Sequence, residues 1–266
     1  MYAFEYIRPE SLKDVASVQR KQAEARLLAG GQSLVQAMKL RLSSAPMLID
    51  LGGIADLKGI RIANNVVSIG AMTRHAEVAS SREVQRSIPA LAKLAGGIGD
   101  RQVRNLGTLG GSLANADPGA DYPAAVLGLG ATVVTSKREI PADKFFLGLF
   151  ETALKPGEII TRVDFPMPLR AGYAKFRNPA SRFALVGVFV CDTTTGVRVA
   201  VTGAGPCAFR VKRMEKVLAK DFTPQAIAKI VLPDDDLNSD LHAAADYRAH
   251  LVTVMAQRAV EAATKL

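Results

Sequence analysis

The spacing of apolar and polar residues divides the chain into a mixed succession of helices and strands. Helical spacing and period-two alternation occur in neighbouring segments of the first fifty residues, which predicts a small α/β unit. Its predicted elements are a helix capped by Ser11, a strand at 26–29 that ends at two glycines, an amphipathic helix at 33–42 and a buried strand at 47–51.

Strand patterns dominate the middle of the chain, and helical patterns return toward its end. The predicted strands lie at 60–62 and 66–69, joined by a tight turn at Asn64-Asn65, and at 131–135, 159–165, 183–191 and 196–202. Predicted helices cover 88–98 and most of the tail from 206, ending in a long helix at 241–264 with Leu251, Val254 and Ala259 facing inward. The prolines of Pro166-Met167-Pro168 predict a boundary near residue 168. The chain is therefore predicted to form three lobes, at 1–55, 56–168 and 169–266.

Composition places the chain among globular proteins. Of its 266 residues, 48% are apolar and 22% are charged, which is enough apolar material for a sizeable core. Charged residues or glycines interrupt every apolar run before it reaches the length of a membrane span, and the start lacks the pattern of a secretory signal. We therefore expect a cytoplasmic protein without a membrane span.

Cysteine, histidine and charge limit the chemistry that this chain can perform alone. Two cysteines are too few for an iron–sulfur cluster, and the three histidines lack metal-ligand spacing, so no metal site is expected. A net charge of +9 favours a polyanion, such as a phosphate-bearing cofactor, an acidic partner or nucleic acid. Nucleic acid is the least expected of these, because basic residues form no long run and the chain has no Trp.

Two glycine-rich segments carry the candidate binding chemistry. The first, Ala29-Gly30-Gly31-Gln32-Ser33-Leu34, joins a predicted strand to a predicted helix, where glycine amides can converge on phosphate oxygens. It matches neither the dinucleotide G-x-G-x-x-G pattern nor the P-loop, and a simple turn before a helix is an equal alternative.

The second segment is longer and richer in polar side chains. Residues 98–121 read as a glycine loop that carries Thr108, Ser112, Asn115, Asp117 and Asp121, a composition suited to wrapping a polar, rigid ligand. No catalytic triad or carboxylate pair is present, so no catalytic residue is assigned. His75, which follows the strand ending Ile69-Gly70-Ala71-Met72-Thr73, is interpreted as a packing or surface residue.

These segments, taken in order, resemble the FAD-binding medium subunit of molybdenum hydroxylases, the family of carbon monoxide dehydrogenase medium chains and their xanthine dehydrogenase relatives. The likeness also covers Phe4-x-Tyr6-x-x-Pro9, Met38-Lys39-x-Arg41-Leu42 and the D-P-G-A-D element at 117–121. It implies an α+β chain, with a para-cresol methylhydroxylase-type FAD-binding fold of two α/β subdomains and a C-terminal lobe of antiparallel sheet and helices.

The resemblance also implies the cofactor contacts. They map to Ala29, Gly30, Gly31, Gln32, Ser33 and Leu34 in the first turn, to Thr108, Leu109, Gly110, Gly111 and Ser112 in the second segment, and to Ile98, Asp121, Ile160, Arg177 and Phe183 elsewhere. Phe183 stands where relatives often carry a tyrosine at the isoalloxazine face; it can stack on a flavin but cannot donate a hydrogen bond.

What the resemblance implies about function is an oxidoreductase subunit that carries FAD. It would accept electrons from [2Fe–2S] clusters on a small subunit and pass them to quinone, NAD or oxygen, while a large subunit holds the molybdenum cofactor. A dimer of such heterotrimers is expected. A stand-alone flavin oxidoreductase of the same fold and a non-enzymatic polyanion-binding module are the alternatives. The substrate, whether carbon monoxide, an aldehyde or an N-heterocycle, is determined on another chain.

Overall fold

The computed structural model describes residues 1–265, and its first lobe is a small parallel sheet covered by helices. The strand order is β1-β3-β2. The elements are β1 (Glu5–Ile7), α1 (Leu12–Lys21), β2 (Arg26–Leu28), α2 (Leu34–Lys39) and β3 (Met47–Asp50). Ser11 caps α1 as predicted, since its hydroxyl accepts from the Asp14 amide at 3.2 Å. Val15 of α1 packs with Ile49 of β3 in a small core, which joins this lobe to the next.

The second lobe is an antiparallel sheet of order β4-β5-β10-β6-β7 beside six short helices. Its strands are β4 (Ile60–Ala63), β5 (Val66–Gly70), β6 (Thr132–Thr135), β7 (Glu139–Pro141), β8 (Phe146–Gly148), β9 (Glu151–Thr152) and β10 (Ile160–Pro166). Its helices are α3 (His75–Ser80), α4 (Arg82–Ser87), α5 (Pro89–Gly96), α6 (Arg101–Leu106), α7 (Leu109–Asn115) and α8 (Tyr122–Leu129). Strands β8 and β9 pair with each other as a separate hairpin.

The third lobe is a four-stranded antiparallel sheet with one long helix on its outer face. Its elements are β11 (Arg170–Arg177), β12 (Ala184–Thr193), β13 (Gly196–Thr202), β14 (Phe209–Arg210), α9 (Lys212–Leu218) and α10 (Ala245–Thr264). Alternation along β12 sends Val188 and Val190 toward α10, while Phe189 and Cys191 face α8 of the second lobe. Helix α8 is buried along its whole length, so it joins the two lobes.

The predicted α+β class and the C-terminal sheet with helices are confirmed, and several local predictions are corrected. The glycine-rich stretch read as a loop contains α6 and α7, because Asp100 and Thr108 cap them. The final helix begins at Ala245, and residues 228–244 before it form turns and irregular chain. The lobe boundaries near 55 and 168 stay a prediction. No helix within residues 1–265 is long and apolar enough to cross a membrane.

Candidate functional site

An open cleft of about 610 Å³ lies where the first two lobes and the β11–β12 connection meet. Its volume falls in the range of small-molecule and cofactor sites, roughly 300–1,000 Å³. Both glycine-rich segments contribute to its wall, together with the start of β10 and the loop before β12.

The first glycine turn offers backbone donors to this cleft. Gly31, Gln32 and Ser33 all line the cleft. Their backbone amides donate to no backbone acceptor within residues 1–265, so they are available to a ligand. The chain turns there because β2 ends at Leu28 and α2 begins at Leu34, so these amides belong to neither ladder nor helix. Neighbouring free amides of this kind suit a phosphate or another multiply charged oxygen group.

The second segment offers hydroxyl groups. The amides of Leu109 and Gly110 are already used, because Leu109 donates to the Thr73 carbonyl at 3.1 Å and Gly110 donates to the Ala71 carbonyl at 2.7 Å. Thr108 Oγ1 accepts from the Gly111 amide at 3.2 Å as the cap of α7, which leaves the hydroxyl hydrogen free to donate. Ser112 also lines the cleft.

The two segments are packed backbone against backbone. A Cβ added at Gly30 would collide with the Leu106 carbonyl oxygen and would lie 2.7 Å from the Gly107 Cα. Glycine at position 30 is therefore required by the protein's own packing, apart from any ligand. This contact brings the free amides of one segment beside the hydroxyls of the other.

A buried ion pair between Lys175 and Asp121 braces the cleft from behind. The Lys175 Nζ lies 2.8 Å from Asp121 Oδ1, and both side chains are 4% exposed. The same ammonium donates to the carbonyls of Gly97 at 3.0 Å and Arg182 at 3.1 Å, so its three hydrogens all have acceptors. Burial raises the pKa of the Asp121 carboxyl, and Lys175 opposes that rise.

Phe183 stands at the mouth of the cleft on a preformed loop. The residue is 48% exposed. The buried Asn178 shapes the loop by accepting from the amides of Ala180 at 2.9 Å and Ser181 at 3.1 Å. Arg182 has a φ of 64°, which bulky residues rarely adopt, and its carbonyl accepts from Lys175. The loop is thus built to present an aromatic ring at one position.

The structure also brings residues to the cleft that sequence reasoning did not assign. His75 lines the wall, and it is also 5% exposed, which agrees with the prediction of a packing or surface residue. Its sequence signal is its place shortly after the 69–73 strand segment. Glu158 lines the cleft too, but Arg138 at 2.9 Å and Thr135 at 2.7 Å occupy its carboxylate. The hydrogen bond from Arg138 lowers the pKa of Glu158 to about 2, so it acts as a structural anion.

Most of the residues that the sequence assigned to a cofactor lie on one continuous wall. Those on the cleft surface are Ala29, Gly30, Gly31, Gln32, Ser33, Leu34, Ile98, Thr108, Gly110, Gly111, Ser112, Asp121, Ile160 and Phe183. Leu109 is fully buried in the core beneath, and Arg177 lies exposed at the end of β11, so neither forms part of the wall.

Asp121 differs in environment from the other wall residues. Tyr173 donates to its Oδ1 at 2.5 Å and Lys175 contacts both oxygens, so its carboxylate is largely occupied by the chain itself. Within residues 1–265, no group of three potential ligand side chains is placed to hold a metal ion. The cleft therefore offers three unpaired amides, two hydroxyl groups and the exposed ring of Phe183. This set of groups fits a dinucleotide flavin such as FAD.

Comparison with known proteins agrees with this geometry. Residues 2–168 match the model of the FAD binding domain in molybdopterin dehydrogenase, and residues 171–263 match the CO dehydrogenase flavoprotein C-terminal domain. The chain is 36% identical to the carbon monoxide dehydrogenase medium chain of Hydrogenophaga pseudoflava, covering 98% of this chain and 96% of that one. It is 33% identical to the glyceraldehyde dehydrogenase medium chain of Sulfolobus acidocaldarius, covering 96% of each.

A solved structure extends the likeness to three dimensions. Quinoline 2-oxidoreductase from Pseudomonas putida 86 superposes with a TM-score of 0.91 at 31% identity, covering 99% of this chain and 98% of that one.

Proposed function

The chain belongs to the FAD-binding medium subunits of molybdenum hydroxylases, and on that basis we propose that it is the electron-transfer subunit of a molybdenum-containing dehydrogenase. It is therefore an oxidoreductase component with FAD as its cofactor. The observation that carries the proposal is the cleft in which free amides of the first glycine turn lie beside the Thr108 and Ser112 hydroxyls.

The chain's own residues bind and orient the cofactor. Gly31, Gln32 and Ser33 would donate from their amides to the diphosphate, and Thr108 and Ser112 would add hydroxyl donors. Phe183 would lie over one end of the ligand at the cleft mouth, where an external acceptor could approach.

The remaining wall residues position these groups or shape the apolar part of the cleft. Ile98 and Ile160 would supply apolar contact, and Asp121 would act mainly by holding Lys175 in place. When bound, FAD supplies the electron-carrying chemistry, and the protein supplies binding, orientation and electrostatics.

Two partner chains follow from the proposal. A small subunit with [2Fe–2S] clusters would supply electrons to this chain, and a large subunit with the molybdenum cofactor would oxidise the substrate. Similar proteins are the medium chain of a carbon monoxide dehydrogenase, the medium chain of a glyceraldehyde dehydrogenase and the medium subunit of a nicotine 6-hydroxylase, which supports a role as one subunit of a larger enzyme. We propose a dimer of heterotrimers, with quinone, NAD or oxygen as the external acceptor.

The test begins with cofactor content. The purified chain should release about one FAD per polypeptide on denaturation, and Ser112→Ala should weaken FAD binding several-fold by removing a hydroxyl donor. Ser44→Ala is the matched control, because Ser44 is exposed and lies outside the cleft. A chain that takes up no FAD would overturn the proposal.

Purification of the tagged chain together with a cluster-bearing and a molybdenum-bearing subunit would support the partner assignment, and purification as a lone flavoprotein would contradict it.

A further inference from the structure

Two buried polar side chains meet behind the second glycine segment. His75 begins α3 and Tyr122 begins α8, and their ring centroids are 5.3 Å apart at 51°. His75 is 5% exposed and Tyr122 is fully buried. Within residues 1–265, His75 Nδ1 and Tyr122 Oη are the two buried side-chain polar atoms without a hydrogen-bond partner. Buried polar groups are nearly always satisfied, so this pair calls for an explanation.

The other ring nitrogen of His75 faces the cleft. A Cβ at Gly107 would lie 2.6 Å from His75 Nε2, so this nitrogen lies directly against the start of the second glycine segment. The His75 amide also donates to the Gly107 carbonyl at 3.0 Å, which fixes the backbone on both sides of the contact. His75 is part of the cleft wall, and Nε2 is not among the buried unpartnered atoms. One ring nitrogen therefore faces the core, and the other is accessible from the cleft.

The protonation states restrict what each atom can do. Burial, aided by the Arg104 cation, lowers the pKa of His75 to about 4, so the imidazole is neutral at neutral pH and carries one N–H. Burial raises the pKa of Tyr122, so its hydroxyl keeps its hydrogen. The Tyr122 hydroxyl can donate a hydrogen bond, and His75 Nδ1, the other buried polar atom without a partner, can accept one. Once Nδ1 accepts, the ring hydrogen must reside on Nε2.

We propose that His75 is a cofactor-binding residue whose Nε2–H donates to an acceptor atom of bound FAD. Tyr122 is then the positioning residue that sets this tautomer, because its hydroxyl donates to one buried water that in turn donates to Nδ1. The inference rests on the proposed function, because it needs FAD in the cleft. It adds a side-chain donor from the core of the second lobe to the amides and hydroxyls of the two glycine segments. Gly107 is then needed so that the imidazole can reach the cleft surface.

The first experiment measures FAD binding to the deflavinated full-length chain by quenching of flavin fluorescence. A Gln side chain can place its amide nitrogen near the position of Nε2, whereas Asn places it near Nδ1. His75→Asn should weaken FAD binding about tenfold, the effect of one lost hydrogen bond, while His75→Gln should stay within about threefold of the wild type. Both variants put a neutral amide in the same site, so a purely structural effect would be similar in the two. His250→Asn, at an exposed position of α10, is the control.

The second experiment reads the tautomer without FAD. Nitrogen-15 spectra of the deflavinated chain should show His75 as the Nε2–H form, and Tyr122→Phe should convert it to a mixture of the two tautomers. An Nδ1–H form in the wild type would overturn the inference, as would equal FAD affinity in His75→Asn, His75→Gln and wild type. These failures differ from failure of the proposed function, in which the wild-type chain itself binds no FAD.

Discussion

Replacing Lys175 with methionine tests whether the buried ion pair holds the back of the cleft together. In Lys175→Met the carboxylate of Asp121, 4% exposed, loses the ammonium 2.8 Å away and keeps the Tyr173 hydroxyl as its remaining side-chain donor. Leaving one partner of a buried pair uncompensated costs about 3–5 kcal/mol. The carbonyls of Gly97 and Arg182 lose a donor as well, which adds to the loss of stability.

The assay is urea unfolding of the deflavinated chain at pH 7, followed by far-ultraviolet circular dichroism. Lys265→Met is the matched control, because Lys265 pairs with Glu261 where the two side chains are 72% and 53% exposed, and such a surface pair contributes less than about 1 kcal/mol. Adding Asp121→Asn to Lys175→Met should restore part of the lost stability, since the buried charge disappears.

The pH dependence gives a second check on the same variant. Burial already raises the pKa of Asp121, and removal of Lys175 raises it further, so the folded variant binds a proton more tightly than the unfolded chain does. The stability of Lys175→Met should therefore increase as the pH falls from 7 toward 5. The interpretation as a desolvated pair would be refuted if Lys175→Met lost no more free energy of unfolding than Lys265→Met and gained no stability at lower pH.

The remaining predictions concern three other sites. Gly30→Ala should destabilise even the deflavinated chain by roughly 1–3 kcal/mol in thermal melts, because its Cβ meets the Leu106 carbonyl; an unchanged melt would contradict the packing argument. His75, with its pKa lowered to about 4 from 6.5, contributes stability above pH 6.5 that is lost as the pH falls toward 4, about 3 kcal/mol in all. The slope of stability against pH in that window should flatten in His75→Gln, and an unaltered slope would refute the assignment. Burial raises the pKa of the Cys191 thiol to about 12, so in the folded chain a disulfide reagent at pH 8 should modify the half-buried Cys207 and leave Cys191 intact; modification of both would contradict the burial.

Local backbone features were the most predictable from sequence. The Ser11 cap and the Asn64-Asn65 hairpin turn follow from residue types that favour those conformations, and both asparagines have positive φ, at 50° and 59°. The glycine turns were located for the same reason. The helix at 109–115 was missed because its glycines suggested a loop, while the capping hydroxyl of Thr108 determines the outcome.

Long-range arrangements were not predictable in the same way. Lys175 lies 54 residues from Asp121 and 78 residues from Gly97 along the chain, and no local pattern links them. The contact between the His75 and Tyr122 rings likewise depends on how α3 and α8 are placed in the fold. Most of the residues that the resemblance assigns to the cofactor line the cleft, and the structure distinguishes those with unpaired backbone amides from those that present hydroxyl groups.

The turn at 118–120, beside the cleft, is anchored by the third lobe. Thr202 Oγ1 lies 2.9 Å from the Pro118 carbonyl oxygen and 2.6 Å from that of Ala120, and its single hydrogen can serve either acceptor. The Gly203 amide donates to the Pro118 carbonyl at 2.7 Å. Arg248 of the long helix donates in turn to the Gly203 carbonyl at 2.9 Å. We therefore expect ligand occupancy and attachment of the third lobe to be thermodynamically linked. If bound FAD strengthens the attachment of the third lobe, that attachment strengthens FAD binding by the same free energy. Removal of FAD should therefore make the third lobe more accessible to proteases.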